Sequence, residues 1–292
     1  MAIVQGFLIG FGTGGVLLLI LLASLLLFFP PPRTNILILG LDRRPSEHTT
    51  ISRTDTMILV TVNSRANYVG MLSIPRDLWL KMPGGFMDRI NDAYVYAEID
   101  KPGSGPAASM QAVRSNFGVD VQSYMQVDLA GFVNIVDAMG GVDIIVPQAI
   151  IDYAYPTYDY GTTTVSFAAG PQHMNGDQAL AYARIRHGSS DLARAVRQQR
   201  VIQAVFAQLL RPATWVRLPA ILLAVRQSLA TDLTPLDVLR LAPTLLLVGP
   251  AHIEHVVIEG DMVQPYITAG GADVLLPVWA NINPVLLRMF GQ

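Results

Sequence analysis

Residues Asn35 to Leu41 read NILILGL, a short apolar run that stops at Asp42 and predicts a buried strand. Two more runs follow, Met57 to Val62 (MILVTV) and Tyr68 to Ile74 (YVGMLSI), and the residues between them (NSRAN) have the composition of a hairpin turn. Antiparallel pairing of the three strands would bring the end of the first beside the start of the second and the end of the third. These runs therefore predict the centre of a sheet.

Strand and helix patterns alternate further along the chain. Val121 to Asp128 is typical of a strand, Ala130 to Met139 of a helix closed by Gly140-Gly141, and Val142 to Val146 of another strand. This alternation favours an α/β fold, and we expect a three-layer α/β/α domain with a mixed central sheet.

The second half of the chain has two clear helical patterns. Gly161 to Asn175 has loop composition, and Asn175 is placed to cap the helix that carries the AYARIR sequence. A long helix is predicted from about Asp191 to Leu210. Residues 213–292 add one amphipathic helix near Trp215 to Leu229 and weaker, mixed signals.

The N-terminal segment differs from the rest. Residues 1–32 contain no charged side chain, and Phe7 to Phe29 is almost purely apolar or small, long enough at about 1.5 Å per residue to span a bilayer core of about 30 Å. A signal peptide would have a shorter apolar region and a small-residue cleavage site, whereas this run leads into three prolines. We therefore predict a single membrane anchor in residues 1–32, with its helix at about 7–29, and one domain in residues 33–292.

Composition excludes several classes of protein. The net charge of −2, with no basic stripe, argues against a nucleic-acid partner. The absence of cysteine excludes disulfides, thiolate metal sites and cysteine nucleophiles. Of the 20 basic residues all but Lys81 and Lys101 are arginine, which fits either a GC-rich genome or phosphate recognition by planar guanidinium groups.

Charged side chains stand at the predicted strand ends. Asp42 follows the first strand, Asp55 precedes the second and Arg76 follows the third, so the predicted pairing gathers them at one edge of the sheet. Without further information each has an ordinary interpretation: Asp42 and Asp55 as turn residues, and Arg76 as the partner of Asp77 in a surface ion pair.

The long helix points polar groups in the same direction. Its apolar stripe of Ile202, Val205, Phe206 and Leu209 extends backward onto Gln198, Arg194 and Asp191, so these polar residues face inward. A buried guanidinium without a partner is very costly, which predicts a wet, anion-binding pocket at this end of the helix. The alternative is a solvated basic helix, which Arg197 and Arg200 fit better than Arg194 does.

Six segments of the chain together carry a family resemblance: GLDRR (residues 40–44), SRTDT (52–56), LSIPRD (72–77), RINDAY (89–94), DAMGGV (137–142) and GDQALAYARIRHGSSDLARAVRQQ (176–199). In these segments the chain resembles the LytR-CpsA-Psr family of bacterial cell-envelope proteins. The order and spacing of the segments match over the core motifs of residues 34–211. The family usually has an acid three residues after the second arginine of the Arg184–Arg186 pair, where this chain has Ser189.

This resemblance implies a phosphotransferase outside the cell membrane. The donor would be a glycan on a polyprenyl pyrophosphate, the acceptor a hydroxyl of peptidoglycan, and membrane lipid a further partner. Asp42, Asp55 and Arg76 would be catalytic, with Mg²⁺ or Mn²⁺ on the two aspartates. The pyrophosphate would be bound by Arg53, Arg76, Arg184, Arg186, Arg194 and Gln198.

Alternatives remain open from sequence. The same residues would serve a hydrolase that transfers the phosphorus to water, and a membrane-tethered binding or regulatory protein would bind the lipid without turnover. Asp42 and Asp55 are equal candidates for the general base.

Overall fold

The computed structural model describes residues 30–43, 52–157, 161–185 and 191–291. The predicted anchor helix at 7–29 and the predicted substrate-binding Arg186 lie outside these residues. Among the helices of the described ranges, none combines the length and the hydropathy that a bilayer crossing requires.

The described residues alternate between strands and helices, as expected. The strands are β1 (Thr34–Leu41), β2 (Thr54–Asn63), β3 (Tyr68–Ile74), β4 (Trp79–Lys81), β5 (Met87–Arg89), β6 (Ser123–Asp128), β7 (Val142–Val146), β8 (Ile150–Pro156), β9 (Thr162–Phe167), β10 (Gly170–Met174), β11 (Leu229–Thr231), β12 (Glu254–Val257), β13 (Val263–Ile267) and β14 (Asp273–Pro277). The helices are α1 (Asp92–Asp100), α2 (Gly105–Phe117), α3 (Leu129–Met139), α4 (Gly176–Arg184), α5 (Asp191–Leu209), α6 (Pro212–Trp215), α7 (Leu218–Ser228), α8 (Pro235–Val248) and α9 (Trp279–Phe290).

A mixed sheet with the strand order β11-β6-β1-β2-β3-β12 forms the centre of the domain. β1 pairs antiparallel with β2, and β2 antiparallel with β3, as the sequence predicted. β6 and β12 add in parallel to β1 and β3. As a result, β1, β3, β6 and β12 end at one edge, which we call the functional edge, and β2 begins there. The other end, where β1 begins and β2 turns into β3, is the opposite edge.

Helices cover both faces of this sheet. Leu37 and Leu39 of β1 pack in a core with α1, α2 and α9 on one face of the sheet. The preceding residue, Ile36, packs against α8 on the other face. Burial of each such side chain contributes about 1.5–3 kcal/mol. The apolar alternation of β1 thus produces the layered α/β architecture with a mixed central sheet that the sequence predicted.

A second core holds the helices that carry the site. It is built from α3, α4, α5 and α7 with β7 and the β8–β9 hairpin. Asn175 caps α4 through a capping box with Gln178, as predicted for Asn175. The backbone N–H of Gly176 donates to Asp137 of α3 at 2.7 Å, which joins the two helices. These bonds fix the start of α4, and Arg184 is its last residue.

Two sequence predictions are wrong in detail. The predicted loop at 161–175 contains β9 and β10, because β9 pairs locally with β8 and β10 pairs with the distant β7. The stripe on α5 is wider than predicted: Val201 and Ala204 are buried in the second core, Ile202 and Phe206 pack on the sheet, and Leu209 is exposed. A helix packed between two cores buries more than one face.

Gly176 leaves no room for a side chain. A Cβ there would lie 2.4 Å from the backbone oxygen of Val133 in α3 and 2.7 Å from its Cα. We expect Gly176→Ala to destabilise the domain by about 1–3 kcal/mol, the cost of overpacking, and to lower the thermal midpoint by about 2–4 °C per kcal/mol. Thermal unfolding of the full chain in detergent measures this effect. Gly270→Ala is the control, because its nearest neighbouring atom is at 3.9 Å; equal midpoints for the two variants would contradict the prediction.

Candidate active site

Asp42 and Arg184 form an ion pair at the functional edge. Asp42 follows β1, and Arg184 ends α4; Arg184 Nη2 donates to Asp42 Oδ1 at 3.0 Å. Both side chains are only partly exposed, which makes the charge-assisted bond stronger than a fully solvated surface pair. The two residues are far apart in sequence, and the fold brings them into direct contact.

Arg76 lies between two carboxylates at the end of β3. Its Nη1 is 2.8 Å from Asp55 Oδ2, and its Nε is 3.2 Å from Asp77 Oδ2. Burial by itself would lower the pKa of Arg76, but Asp55 and Asp77 outweigh burial, and the pKa is raised. Arg76 therefore makes both the surface-type pair with Asp77 and the predicted contact across the edge to Asp55.

The first turns of α5 bring Arg194 and Gln198 to the same place. These two residues are one helical turn apart, so they face the same side. The adjacent Gln199 is buried and fixes the helix, because its Nε2 donates to Ser73 Oγ at 2.9 Å and to the backbone oxygen of Val256 at 3.0 Å. The buried amide thus ties α5 to β3 and β12 and sets the position of Arg194 and Gln198.

Arg197 departs from the sequence interpretation. In the sequence, Arg197 fits a solvated helix face better than Arg194 does. In the structure only 5% of Arg197 is exposed, and its guanidinium donates to the backbone oxygen of Ile185. Burial lowers its pKa. Arg197 thereby links α5 to the residue that follows Arg184, and has a structural part in placing the two arginine-bearing helices.

A cavity of about 320 Å³ joins these polar groups to an apolar wall. Its charged and polar lining includes Asp42, Asp55, Asp128, Arg184, Arg194 and Gln198. Its apolar wall consists of Ile38, Leu41, Val127, Leu129, Phe132, Leu180, Val201 and Ile202. The volume lies within the range of small-ligand sites, and the division into a charged and an apolar part fits a ligand with one end of each kind.

A smaller cavity of about 110 Å³ adjoins the first. Asp55, Thr56, Arg194 and Gln198 line both cavities, and Arg76 lines the smaller one. The sequence prediction that Asp42, Asp55 and Arg76 converge on one edge is therefore confirmed, and Arg184, Arg194 and Gln198 join them there.

Arg53 stands apart from this group. Its guanidinium is largely exposed and pairs with Asp92 at 3.2 Å, and it lines neither cavity. Burial raises the pKa of Asp92, and the charge of Arg53 opposes this rise. The backbone oxygen of Arg53 accepts from the N–H of Asp42 at 3.2 Å, so Arg53 contacts the site through its main chain. Its predicted substrate contact stays a prediction.

Some lining residues carried no clear sequence signal. Glu259 follows the end of β12 and lines the smaller cavity, where burial raises the pKa of its carboxyl. Asp128 follows the same logic as Asp42, since β6 ends beside β1; it lines the larger cavity, pairs with Arg43 and caps α3. Asp128 is the last residue of β6, so its position at this edge follows from strand direction, as that of Asp42 does.

The donor set suits a hard divalent cation. Asp42 and Asp55 line one cavity, and Mg²⁺ is commonly bound by one or two carboxylates together with substrate phosphate oxygens. Within the described ranges no group of three or more His, Asp and Glu side chains gathers as a self-sufficient cage. The pair of aspartates thus fits an ion that is completed by the substrate.

The fold and the site define a class of α/β protein in which arginines and aspartates line a cleft at the edge of a mixed sheet. The chain belongs to the LytR_cpsA_psr family, whose model matches residues 32–277.

Relatives and solved structures agree with this assignment. The chain is 40% identical over 172 residues to the polyisoprenyl-teichoic acid–peptidoglycan teichoic acid transferase TagU of Oceanobacillus iheyensis, covering 58% of this chain and 49% of the relative. It is 34% identical over 206 residues to the TagU of Bacillus cereus, covering 68% and 60%. The chain thus spans about half to three fifths of the length of these relatives. A crystal structure of B. subtilis TagV superposes with a TM-score of 0.71 at 23% identity, covering 89% of this chain and 98% of that chain, which shows the shared fold.

Proposed function

We propose that this protein is a phosphotransferase that moves a glycopolymer from a polyprenyl-pyrophosphate carrier to a hydroxyl of peptidoglycan. The observation that carries the proposal is the larger cavity, in which Asp42, Asp55, Arg184, Arg194 and Gln198 meet an apolar wall. The donor has the same two parts, a pyrophosphate and a hydrocarbon tail. The relatives named as teichoic acid transferases support the same reaction class.

The reaction breaks the phosphoanhydride bond of the pyrophosphate and forms a phosphate ester bond to the acceptor. The acceptor hydroxyl oxygen attacks the phosphorus that carries the sugar, the bond from that phosphorus to the bridging oxygen breaks, and polyprenyl phosphate leaves. The proton of the hydroxyl passes to a carboxylate of the site, Asp42 or Asp55. The product is a phosphodiester between glycan and peptidoglycan.

The residues act by placement and by charge. Arg184 and Arg194 face the pyrophosphate in the larger cavity and Arg76 faces it from the smaller one, so that guanidinium groups neutralise the phosphate oxygens as charge shifts to the leaving group. In phosphoryl transfer such positioning and neutralisation supply most of the acceleration. Arg53 and Arg186 complete the proposed substrate-binding set.

Asp42 and Asp55 would hold a divalent cation, Mg²⁺ or Mn²⁺, in the proposed site. When bound, it neutralises negative charge on the phosphate oxygens. The same carboxylates hold Arg184 and Arg76 in place through the ion pairs described above.

We place the domain outside the cell, tethered by the predicted anchor at 7–29. Peptidoglycan lies on the outer side of the membrane, and the polyprenyl tail of the donor lies in the membrane itself. The proposed partners are thus the lipid-linked glycan, peptidoglycan and membrane lipid.

Reconstitution tests the proposal. The full chain in proteoliposomes, given Mg²⁺, a lipid-linked glycan labelled in the sugar and peptidoglycan, should join label to the wall material through a bond that phosphodiesterase cleaves. A hydrolase would release sugar phosphate and leave the wall unlabelled. A binding protein would retain the intact lipid, and Asp42→Ala would not change that result. Either of these outcomes would reject transfer.

A further inference from the structure

An exposed apolar surface follows α5. Trp215 is 60% exposed and Val216 83%, and Leu218, Leu222 and Leu223 are each about half exposed. We call these five residues the apolar face. They lie within a few turns of one another around α6 and α7. Contiguous apolar surface of this kind marks an interaction site.

The apolar face begins at the opposite edge of the sheet. α5 starts at the functional edge, where Arg194 and Gln198 line the larger cavity. Along α5 the hydrogen-bond partner changes from Val256 at Gln199 to Pro250 at Gln203, which lies before the start of β12. Further along, Phe206 packs in the cluster that contains Ile36 and Val62 at the other end of the strands. α5 therefore runs antiparallel to β1, and the residues after it emerge where β1 begins.

The direction of α7 agrees with this placement. A Cβ at Gly140, after the end of α3, would lie 3.0 Å from the guanidinium carbon of Arg217. A Cβ at Gly131, in the first turn of α3, would lie 2.7 Å from the backbone oxygen of Ser228. Since α3 starts at the functional edge, α7 begins at the far end and returns toward it.

α8 adds apolar surface at the same edge. Thr244 Oγ1 donates to Ser64 Oγ at 2.7 Å, and Ser64 lies in the turn between β2 and β3. This bond holds α8 at Thr244 to the opposite edge, and the following Leu246 and Leu247 are 58% and 64% exposed.

The predicted anchor is attached at this edge as well. Only residues 30–33 separate Phe29, the end of the apolar N-terminal stretch, from the start of β1 at Thr34. Four residues span at most about 14 Å. The predicted anchor would therefore keep the opposite edge close to the bilayer.

The charge around the apolar face complements an anionic surface. From residue 209 to residue 231 the sequence contains three arginines and no acidic residue. Arg211 and Arg217 flank Trp215, Arg211 being paired with Asp143 and Arg217 exposed. Arg65, in the β2–β3 turn, is exposed at the same edge. Tryptophan beside arginine is typical of segments that lie in the headgroup region of a membrane.

We propose that the apolar face docks on the membrane that holds the anchor, with Trp215 and Leu222 in the headgroup region and the neighbouring arginines on anionic lipid. The larger cavity extends from the functional edge toward this docked edge, through Ile38 and Ile202. Docking at that edge turns the apolar part of the cavity toward the bilayer. This inference needs the anchor but not the proposed reaction, so the two fail independently.

Fluorescence quenching of the full chain tests the docking. The chain has three tryptophans. With Trp79→Phe and Trp279→Phe, emission reports on Trp215 alone. In proteoliposomes containing phosphatidylglycerol, lipid brominated near the headgroup should quench Trp215 more strongly than lipid brominated near the chain end, because an interfacial helix lies only about 5–10 Å deep. Leu222→Asp combined with Leu223→Asp should remove the quenching.

Two comparisons keep the result specific. Tyr266→Asp combined with Ile267→Asp introduces the same two charges at residues that are 47% and 69% exposed on the β13–β14 hairpin, and quenching should persist. A chain that retains only Trp279, which packs edge-on against Phe117 in the first core, should show no bromine quenching. If aqueous iodide quenches Trp215 and brominated lipid does not, the face is turned to water and the proposal fails. If neither quenches it, a second copy covers the face and the proposal also fails.

Discussion

Replacement of Arg184 by alanine should lower the rate of glycan transfer by about 10²- to 10³-fold, the effect of removing one preorganised donor from a charge-stabilising site. Arg184 is held against Asp42 at 3.0 Å and lines the cavity that is proposed to take the pyrophosphate. Its loss removes a cation from the phosphate oxygens and leaves the Asp42 carboxylate to repel them. Transfer assayed in proteoliposomes at saturating donor measures the effect.

Two variants separate charge from geometry and from stability. Arg184→Lys retains the charge but cannot form two parallel hydrogen bonds, so we expect an intermediate rate. Arg288→Ala removes an arginine from a surface pair with Glu254, on the side of the domain that carries α9, and should retain full activity. Wild-type turnover in Arg184→Ala, with an unchanged circular dichroism spectrum, would remove Arg184 from the site.

The functional edge could be predicted because it depends on strand direction. β3 begins and ends at the predicted residues, and β1 and β2 differ from prediction by a few residues at their ends. Once three apolar runs are paired antiparallel, the edge at which Asp42, Asp55 and Arg76 meet follows from topology alone. Local apolar patterning decides such features, and it is fully present in the sequence.

Features that depend on distant partners were not predicted. β10 exists because β7, almost 30 residues earlier, offers it a hydrogen-bonding edge, while its own residues, GPQHM, include glycine and proline. Arg197 is buried because a carbonyl oxygen at Ile185 accepts from it. In both cases the tertiary partner outweighs the local preference.

The exposed apolar side of α7 could not be predicted from the sequence either. The sequence predicts an amphipathic helix near 215–229, but it does not indicate which side is covered. In the structure Ile221 is buried against α3 while Leu222 and Leu223 remain exposed. A surface left uncovered is visible only after the rest of the domain is packed.

Removal of divalent cations should abolish transfer, and the loss should be traceable to Asp42 and Asp55. These carboxylates line one cavity and supply the oxygen ligands that Mg²⁺ or Mn²⁺ prefers. Asp55→Asn should weaken Mn²⁺ binding by at least about 100-fold, because loss of an outer-shell partner alone costs about 10- to 100-fold. Electron paramagnetic resonance of free Mn²⁺, titrated into the full chain with a pyrophosphate-bearing donor, measures binding without reference to turnover.

The aspartate variants also separate two duties of these carboxylates. Asp55 holds Arg76 at 2.8 Å, so Asp55→Asn weakens both the cation site and the placement of that guanidinium. Arg76→Gln removes this guanidinium but leaves both aspartates in place. It should therefore slow transfer while Mn²⁺ binding stays within about 10-fold of wild type. Asp261→Asn, at an exposed position in a short helix before β13, changes the same charge and should alter neither quantity. Undiminished Mn²⁺ affinity in both Asp42→Asn and Asp55→Asn would show that the cation binds elsewhere, and the two aspartates would then act only through the arginines they hold.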